Sequence, residues 1–289
     1  GDVYKRQMYN YHNITHKTLY MGQQGGIFMK KIKMFAGILA GLMLCAAAAG
    51  CGGGTGSGDK KAAEKKELIV GTNPSFAPFE FTDKKDGKVM GFDIDLINAL
   101  AKKAGYEKVT VKSIAFDGLI PSLESGNIDV SITGMSITDE RKKKVNFTDP
   151  YYESGLMAVV KKDNTAINGL DDLKGKTIAV QLGTTGAKYA ETIEGAKVKT
   201  FDSSDLACLE LKNGGADAVI SDLPVLQYFL KQGGSQYAKS VGTPKKGDFY
   251  GIATAKKNKD LCDKLNKALA ELKKDGEYQK IYDKWFKAE

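Results

Sequence analysis

From Glu67 to the carboxy terminus, apolar positions follow two periods in turn. Short apolar runs at Glu67–Gly71, Val109–Val111, Asn127–Gly134, Leu156–Val160, Thr177–Val180, Val198–Phe201, Ala216–Ile220 and Gly251–Thr254 read as strands. Between them the spacing turns helical. Phe92, Leu96, Leu100 and Ala104 line one face from Gly91 to Gly105, and Phe116 to Glu124 is a short helix. Thr138 starts a charged helix, and the chain closes with helices from Asn258 to Lys274 and Glu277 to Phe286. This alternation predicts an α/β fold with largely parallel sheets. One stretch echoes another: Leu123 to Ile132 parallels Leu211 to Ile220, each a helix end, a glycine stop (Gly126, Gly214) and a strand with Asp at the same offset (Asp129, Asp217). Two similar lobes follow, with ligand loops at the strand ends Gly134–Ser136 and Ser221–Asp222.

The first 66 residues carry a different pattern. Lys30, Lys31 and Lys33 precede an apolar run from Met34 to Ala49, 16 residues long, against the ~20 of a spanning helix. Residues 29–50 therefore read as a signal peptide. Ala48-Ala49-Gly50-Cys51 resembles a lipobox, which makes Cys51 the expected lipidation site; a plain secretory signal or an uncleaved anchor is the alternative. Residues 1–28 precede a complete signal, and their opening Gly-Asp-Val-Tyr-Lys-Arg-Gln reads as a translated sequencing adapter. They are taken as a non-native or untranslated leader, with Met29 as the start. Residues 51–66, rich in Gly and Ser and then in Lys and Glu, form a flexible tether.

Charge changes its meaning once it is located. The 289 residues carry 43 Lys and Arg against 35 Asp and Glu, a net +8 that suggests nucleic acid or an anionic membrane surface as partner. Residues 51–289 hold only +3 of it, so neither partner is expected. The same stretch has no histidine, both His12 and His16 lying earlier. That excludes Ser-His-Asp and Cys-His nucleophiles and His-ligated metals there. Beyond Cys51 only Cys208 and Cys262 remain, both on apolar helix faces as buried thiols rather than a disulfide.

Arg141 is the one arginine among 36 lysines of residues 51–289. A lone arginine suits a planar bidentate task, and the turn Ser136–Arg141 with Thr138 as N-cap favours an anion. The plainer reading pairs Arg141 with Glu140 on a helix surface. Gln181-Leu-Gly183-Thr-Thr-Gly186 permits close backbone approach, yet it lacks phosphate-loop spacing and reads equally as a strand–helix joint. Asp222, at a strand end, suits an ammonium. Phe76 and Phe116 serve either as core plugs or as platforms for an aliphatic ligand. Asp93 with Asp95, and Asp171 with Asp172, are read as helix-start acids rather than metal ligands, so no metal or cofactor is expected.

Taken together, Phe76-Ala-Pro-Phe79-Glu-Phe81, Gly91-Phe-Asp93-Ile-Asp95-Leu, Ser136-Ile-Thr-Asp-Glu-Arg141, Asp149-Pro-Tyr151-Tyr152 and the terminal Gly276 to Phe286 resemble the polar-amino-acid solute-binding proteins of ABC transporters, among them the glutamine and the lysine/arginine/ornithine binders. The resemblance covers residues 67–289. It implies a type II periplasmic-binding-protein fold: two α/β lobes joined by a two-strand hinge, with lobe one at 67–153 plus 250–289 and lobe two at 154–249. By motif position it implies that Arg141 clamps the ligand carboxylate, helped by Ser136 and Thr185. Gly134, Ser136 and Asp222 take the ammonium. Phe76 and Phe116 sandwich the side-chain stem, and Asn73, Asp117, Gln181 and Ser221 complete the side-chain subsite. Uncharged Asn73 and Gln181 favour a neutral ligand, glutamine, since two amides can pair both ends of a third; a basic ligand needs Asp117 or Glu153 to turn inward. The implied partners are a free L-amino acid, the ABC permease and, through Cys51, a membrane on its outer face, with the protein a monomer in the cell envelope. An amino-acid-like dehydratase or a ligand-sensing domain on the same fold is the alternative, and the missing histidine and acid–base pair speak against the enzyme.

Overall fold

A computed structural model describes residues 66–287. The expected leader, signal peptide, Cys51 lipidation site and nearly all of the tether lie outside the described residues.

Two five-stranded sheets organise the chain. The first runs β5 (Lys108–Ser113), β1 (Glu67–Thr72), β6 (Val130–Ser131), β13 (Ala253–Ala255), β7 (Val145–Phe147). The second runs β10 (Lys197–Phe201), β9 (Thr177–Gln181), β11 (Ala218–Asp222), β8 (Tyr152–Lys161), β12 (Ala238–Tyr250). A small sheet of β2 (Ser75–Phe76), β3 (Glu80–Thr82) and β4 (Val89–Met90) flanks the first. The architecture is the expected type II one, in two lobes, but the large sheets are mixed rather than largely parallel. Pairs β1–β5, β1–β6, β9–β10 and β9–β11 are parallel; β6–β13, β7–β13, β8–β11 and β8–β12 are antiparallel. The antiparallel pairs all involve β8, which carries the chain into the second sheet, or β13, which follows its return to the first. These strands enter without the helical crossover that makes neighbours parallel.

The sequence echo is realised atom for atom. Helices α2 (Leu119–Ser125) and α5 (Ser204–Asn213) end at Gly126 and Gly214, with φ of 80° and 81°. Three residues on, Asp129 and Asp217 each accept the backbone N–H of Ile69 and Thr177 at 2.8 Å through a carboxylate oxygen. Their own N–H groups return to Ile69 and Thr177 carbonyls, again at 2.8 Å. In both lobes one side chain therefore pins the start of a parallel strand pair.

Helix α1 (Phe92–Lys103) buries Phe92, Leu96 and Leu100 against β1 residues Leu68 and Val70. Helix α7 (Lys259–Lys274) adds Leu265, Leu269 and Leu272 to that core, and α8 (Glu277–Phe286) covers it with aromatic rings. The terminal helices are thus core of the first lobe, although they follow the second in the chain. Asp95, on the outer side of α1, accepts Trp285 Nε1 and Lys284 Nζ, both at 2.7 Å, and ties α8 down. Ile178, Val180, Ile220 and Ala187 centre the second core. Cys208 and Cys262 are buried free thiols. Among the described residues no helix is long and apolar enough to cross a membrane.

Candidate functional site

The cleft is assembled from loops at the strand ends, and Gly91 makes the first contact possible. Phe92 and Asp93 donate their N–H groups to Pro78 and Phe79 carbonyls at 2.9 Å each, drawing the Phe76–Phe81 segment onto the start of α1. A Cβ at Gly91 would lie 2.0 Å from the Phe79 oxygen and 2.9 Å from Glu80 Cα. With no side chain there, Glu80 and Asp93 come together beneath the cleft, and neither is exposed at all. Asp93 Oδ2 accepts Gly134 N–H and the Tyr151 hydroxyl, both at 2.8 Å, while Glu80 Oε1 accepts the Thr133 hydroxyl at 2.7 Å. Asp93 is therefore no ordinary helix-start acid: it holds the Gly134 loop in place from below.

Asn73, Phe76, Glu80, Thr133, Gly134, Ser136, Phe116 and Arg141 of the first lobe line one wall, and Gln181, Thr184, Thr185 and Asp222 of the second line the other. The atom-free space between the walls is about 280 Å³. Thr138 caps helix α3 (Asp139–Lys144) by accepting the Arg141 N–H at 3.2 Å, as expected. The Arg141 guanidinium lies over the Phe116 ring, 5.1 Å from its centroid. Its two terminal nitrogens donate to the Ser136 carbonyl at 2.7 Å and, across the cleft, to the Gly183 carbonyl at 3.0 Å. Arg141 has no bond to Glu140, which pairs instead with Lys188 of the opposite wall. Thr184 caps helix α4 (Thr185–Glu191) through Ala187 N–H at 3.1 Å. The Thr185 hydroxyl donates to Asp248 at 2.9 Å and lies 3.4 Å from the Ser136 hydroxyl.

Burial governs the electrostatics. It lowers the Arg141 guanidinium from its ordinary value, countered by Asp248 and Asp222. Asp222, which accepts the Ser154 hydroxyl at 3.1 Å, is pushed up to about 7 by burial and by the charge of Asp248. Burial pushes Asp93 up to about 6, and burial together with the Asp93 charge raises Glu80 well above the usual carboxylate range.

Two expected subsite residues are not at the cleft. Asp117 is exposed and is not among the lining residues, although its Cα and Cβ pack beside Gly183; it follows Phe116, which does line the cleft, in the 3-10 turn Phe116–Gly118. Ser221 is buried but lies off the cleft, one residue before Asp222 on β11, where alternate side chains face opposite sides. Glu153 is also exposed. Besides Asp222, the carboxyl that lines the cleft is Glu80, whose only signal in the sequence is its place within the Phe76–Phe81 motif. Among the described residues no His, Cys, Asp and Glu side chains gather as a metal site.

Asn73 and Gln181 meet across the cleft, and this alters their role. Asn73 Oδ1 accepts Gln181 Nε2 at 2.9 Å and the Ser75 hydroxyl at 2.6 Å, and its Nδ2 donates to the Ile114 carbonyl at 3.2 Å. Gln181 also donates to the Asp202 carbonyl at 3.2 Å and accepts the Ser204 hydroxyl at 3.0 Å. Both amides are occupied by protein partners.

Residues 68–288 match the model of the bacterial extracellular solute-binding proteins, family 3. The chain belongs to this family. The arginine-binding periplasmic protein of Mannheimia haemolytica is 41% identical over 227 residues, 77% of this chain and 92% of that protein. An ancestral arginine-binding protein bound to arginine superposes with a TM-score of 0.74 at 51% identity, covering 77% of this chain and 99% of that one. The same kind of ancestral protein bound to glutamine gives 0.72 at 50% identity, covering 78% and 99%. These relatives are binding proteins, and the solute-binding protein described here is not an enzyme.

Proposed function

We propose that this solute-binding protein captures a basic L-amino acid, arginine foremost, outside the cytoplasm and delivers it to an ABC permease. One observation carries the choice of ligand: Glu80, a fully buried carboxyl that lines the cleft in addition to Asp222. In this reading Arg141 forks onto the ligand carboxylate, aided by Ser136 and Thr185. Asp222, with Gly134 and Ser136, receives the ammonium, and the stem lies between Phe76 and Phe116. Glu80 faces the cationic end. Every buried charge then has a partner, as a desolvated site requires. Glutamine, the ligand favoured by sequence, loses its case because the amides meant to recognise it are already satisfied by each other and by Ser75, Ile114, Asp202 and Ser204. The arginine-binding relatives support the same choice.

In this proposal the lobes divide at 67–153 plus 250–289 and 154–249, and they hinge where β8 and β12 pass between them. Export by the 29–50 segment and lipid anchoring at Cys51 would keep the monomer beside its permease. A thermal-shift panel of the twenty amino acids tests the ligand. Arginine at about 100 times its Kd stabilises by roughly 2.7 kcal/mol, and Arg141→Ala abolishes the shift for every amino acid. A panel in which glutamine shifts the melt and no basic amino acid does would reject the assignment.

A further inference from the structure

Asp248 stands near the end of β12, the strand that carries the chain back toward the first sheet. Just before it the ladder with β8 slips: Lys246 pairs with Gly155 and Asp248 with Ser154, so Gly247 is an extra residue on β12. Its φ of 99° suits such a bulge. The extra residue decides where the next side chain stands. Cross-strand partners share a face of the sheet, so Asp248 shares the face of buried Ser154 instead of pairing with exposed Glu153. Ser154 in turn donates to Asp222 at 3.1 Å. Here Asp248 Oδ2 accepts the Thr185 hydroxyl at 2.9 Å, although Asp248 is not among the residues lining the cleft.

The residues that follow hold the facing wall. Ile137 N–H donates to the Phe249 carbonyl at 2.7 Å, Gly251 N–H donates to the Met135 carbonyl at 3.1 Å, and Tyr250 bridges to Ser136 between them. The run Asp248–Gly251 therefore fixes Ser136 through the backbone and Thr185 through a carboxylate. The two hydroxyls end 3.4 Å apart across the cleft. A hydroxyl has one proton to donate. With that of Thr185 directed to Asp248, its oxygen can only accept from Ser136, and its backbone N–H is left for a ligand carboxylate.

We propose that Asp248 is a positioning residue for ligand capture: its bond to Thr185 holds that residue in register with Ser136, and it does so without touching the ligand. This rests on the reading that Ser136 and Thr185 receive the ligand carboxylate. Without Asp248 the Thr185 side chain is free to change rotamer, and binding must then immobilise it. The loss is the same for every amino acid, since all present the same carboxylate. The charge of Asp248 also bears on Arg141 and Asp222, so a test has to separate the bond from the charge.

Calorimetry with L-arginine and, as a neutral comparison, L-glutamine separates them. Asp248→Ala should weaken arginine about two- to tenfold, the cost of ordering one side chain, and weaken any glutamine binding by the same factor. Asp248→Asn keeps an oxygen that can accept from Thr185 and should recover most of the loss. Thr185→Val keeps the backbone N–H but not the hydroxyl. It should lose as much as Asp248→Ala, and the double variant should lose no more than either. If Asp248→Ala does not fold, Asp248→Ser, too short to reach Thr185, takes its place. Should glutamine bind and arginine not, the same cycle on glutamine decides. Unchanged affinity in Asp248→Ala, additive losses in the double variant, or an Asn variant as weak as Ala would overturn the role of Asp248 and leave ligand capture standing. Failure of the wild type to bind any of the twenty amino acids would overturn both.

Discussion

Gly91 sets the geometry of the site from outside it. Its φ of 138° lies where side chains are strained, and a Cβ would be driven into the Phe79 carbonyl at 2.0 Å. Gly91→Ala should therefore cost about 3 kcal/mol or more in urea unfolding, and ligand affinity should fall with it. The carboxyls it brings together make stability depend on pH with a definite sign. Glu80, Asp93 and Asp222 all bind protons more tightly folded than unfolded. Their contribution to stability is present below the ordinary carboxylate range and declines as pH rises from about 4 toward 7. In the ligand-free protein, Glu80→Gln should make that decline shallower; a melting profile parallel to the wild type would show that Glu80 does not titrate in this window. Arg141 was legible in the sequence because it is a lone arginine behind an N-cap. Glu80 was not, because its meaning depends on Asp93, and their meeting depends on two loop carbonyls accepting from the start of α1.

Helix ends and strand starts explain why the two lobes could be read from a repeat. Asp129 and Asp217 perform the same bond at the same length, but Asp129 is partly buried and Asp217 exposed. A hydrogen bond to a charged group shielded from water is worth more than one open to it. Asp129→Ala should cost about 1–2 kcal/mol and Asp217→Ala less than about 1 kcal/mol in chemical denaturation. Equal losses would show that exposure does not separate them. β12 is the longest of the strands that the hydrophobic pattern missed, the others being the short β2, β3, β4 and β7. Apart from a single bridge of Tyr250 to Ser136, β12 is seen to pair with β8 alone, contains Gly242, Pro244 and Gly247, and shifts register twice against that partner. An edge strand of this kind buries too few side chains to show a period of two.

Closure of the whole molecule rests on a few polar contacts spanning the cleft: Gln181 to Asn73, Arg141 to Gly183, Ser136 beside Thr185, and Lys188 to Glu140. The last is an exposed ion pair, its side chains 56% and 60% accessible, so water and salt discount it to about 0.2–1 kcal/mol. Lys188→Ala should speed ligand release by no more than about fivefold in stopped-flow measurements, and added salt should shrink the difference. A much larger effect would make the pair a principal latch. Arg141→Lys should weaken binding strongly, because a point charge cannot span the Ser136 and Gly183 carbonyls and fork onto a carboxylate as a planar guanidinium does.

Order of elements, the duplicated lobe plan, the family and most of the cleft residues were determined by local pattern and motif, since helix faces, caps and glycine stops depend on near neighbours in the chain. Mixed sheets, the place of the terminal helices in the first core, the absence of Asp117 from the cleft lining and the mutual satisfaction of Asn73 and Gln181 emerged only in three dimensions. Each depends on groups far apart in sequence: Asn73 and Gln181 are 108 residues apart, yet they are 2.9 Å apart across the cleft. Ligand choice belongs to this second kind. A residue's type states which bonds it can make, while the fold decides which of them are already spent on the protein.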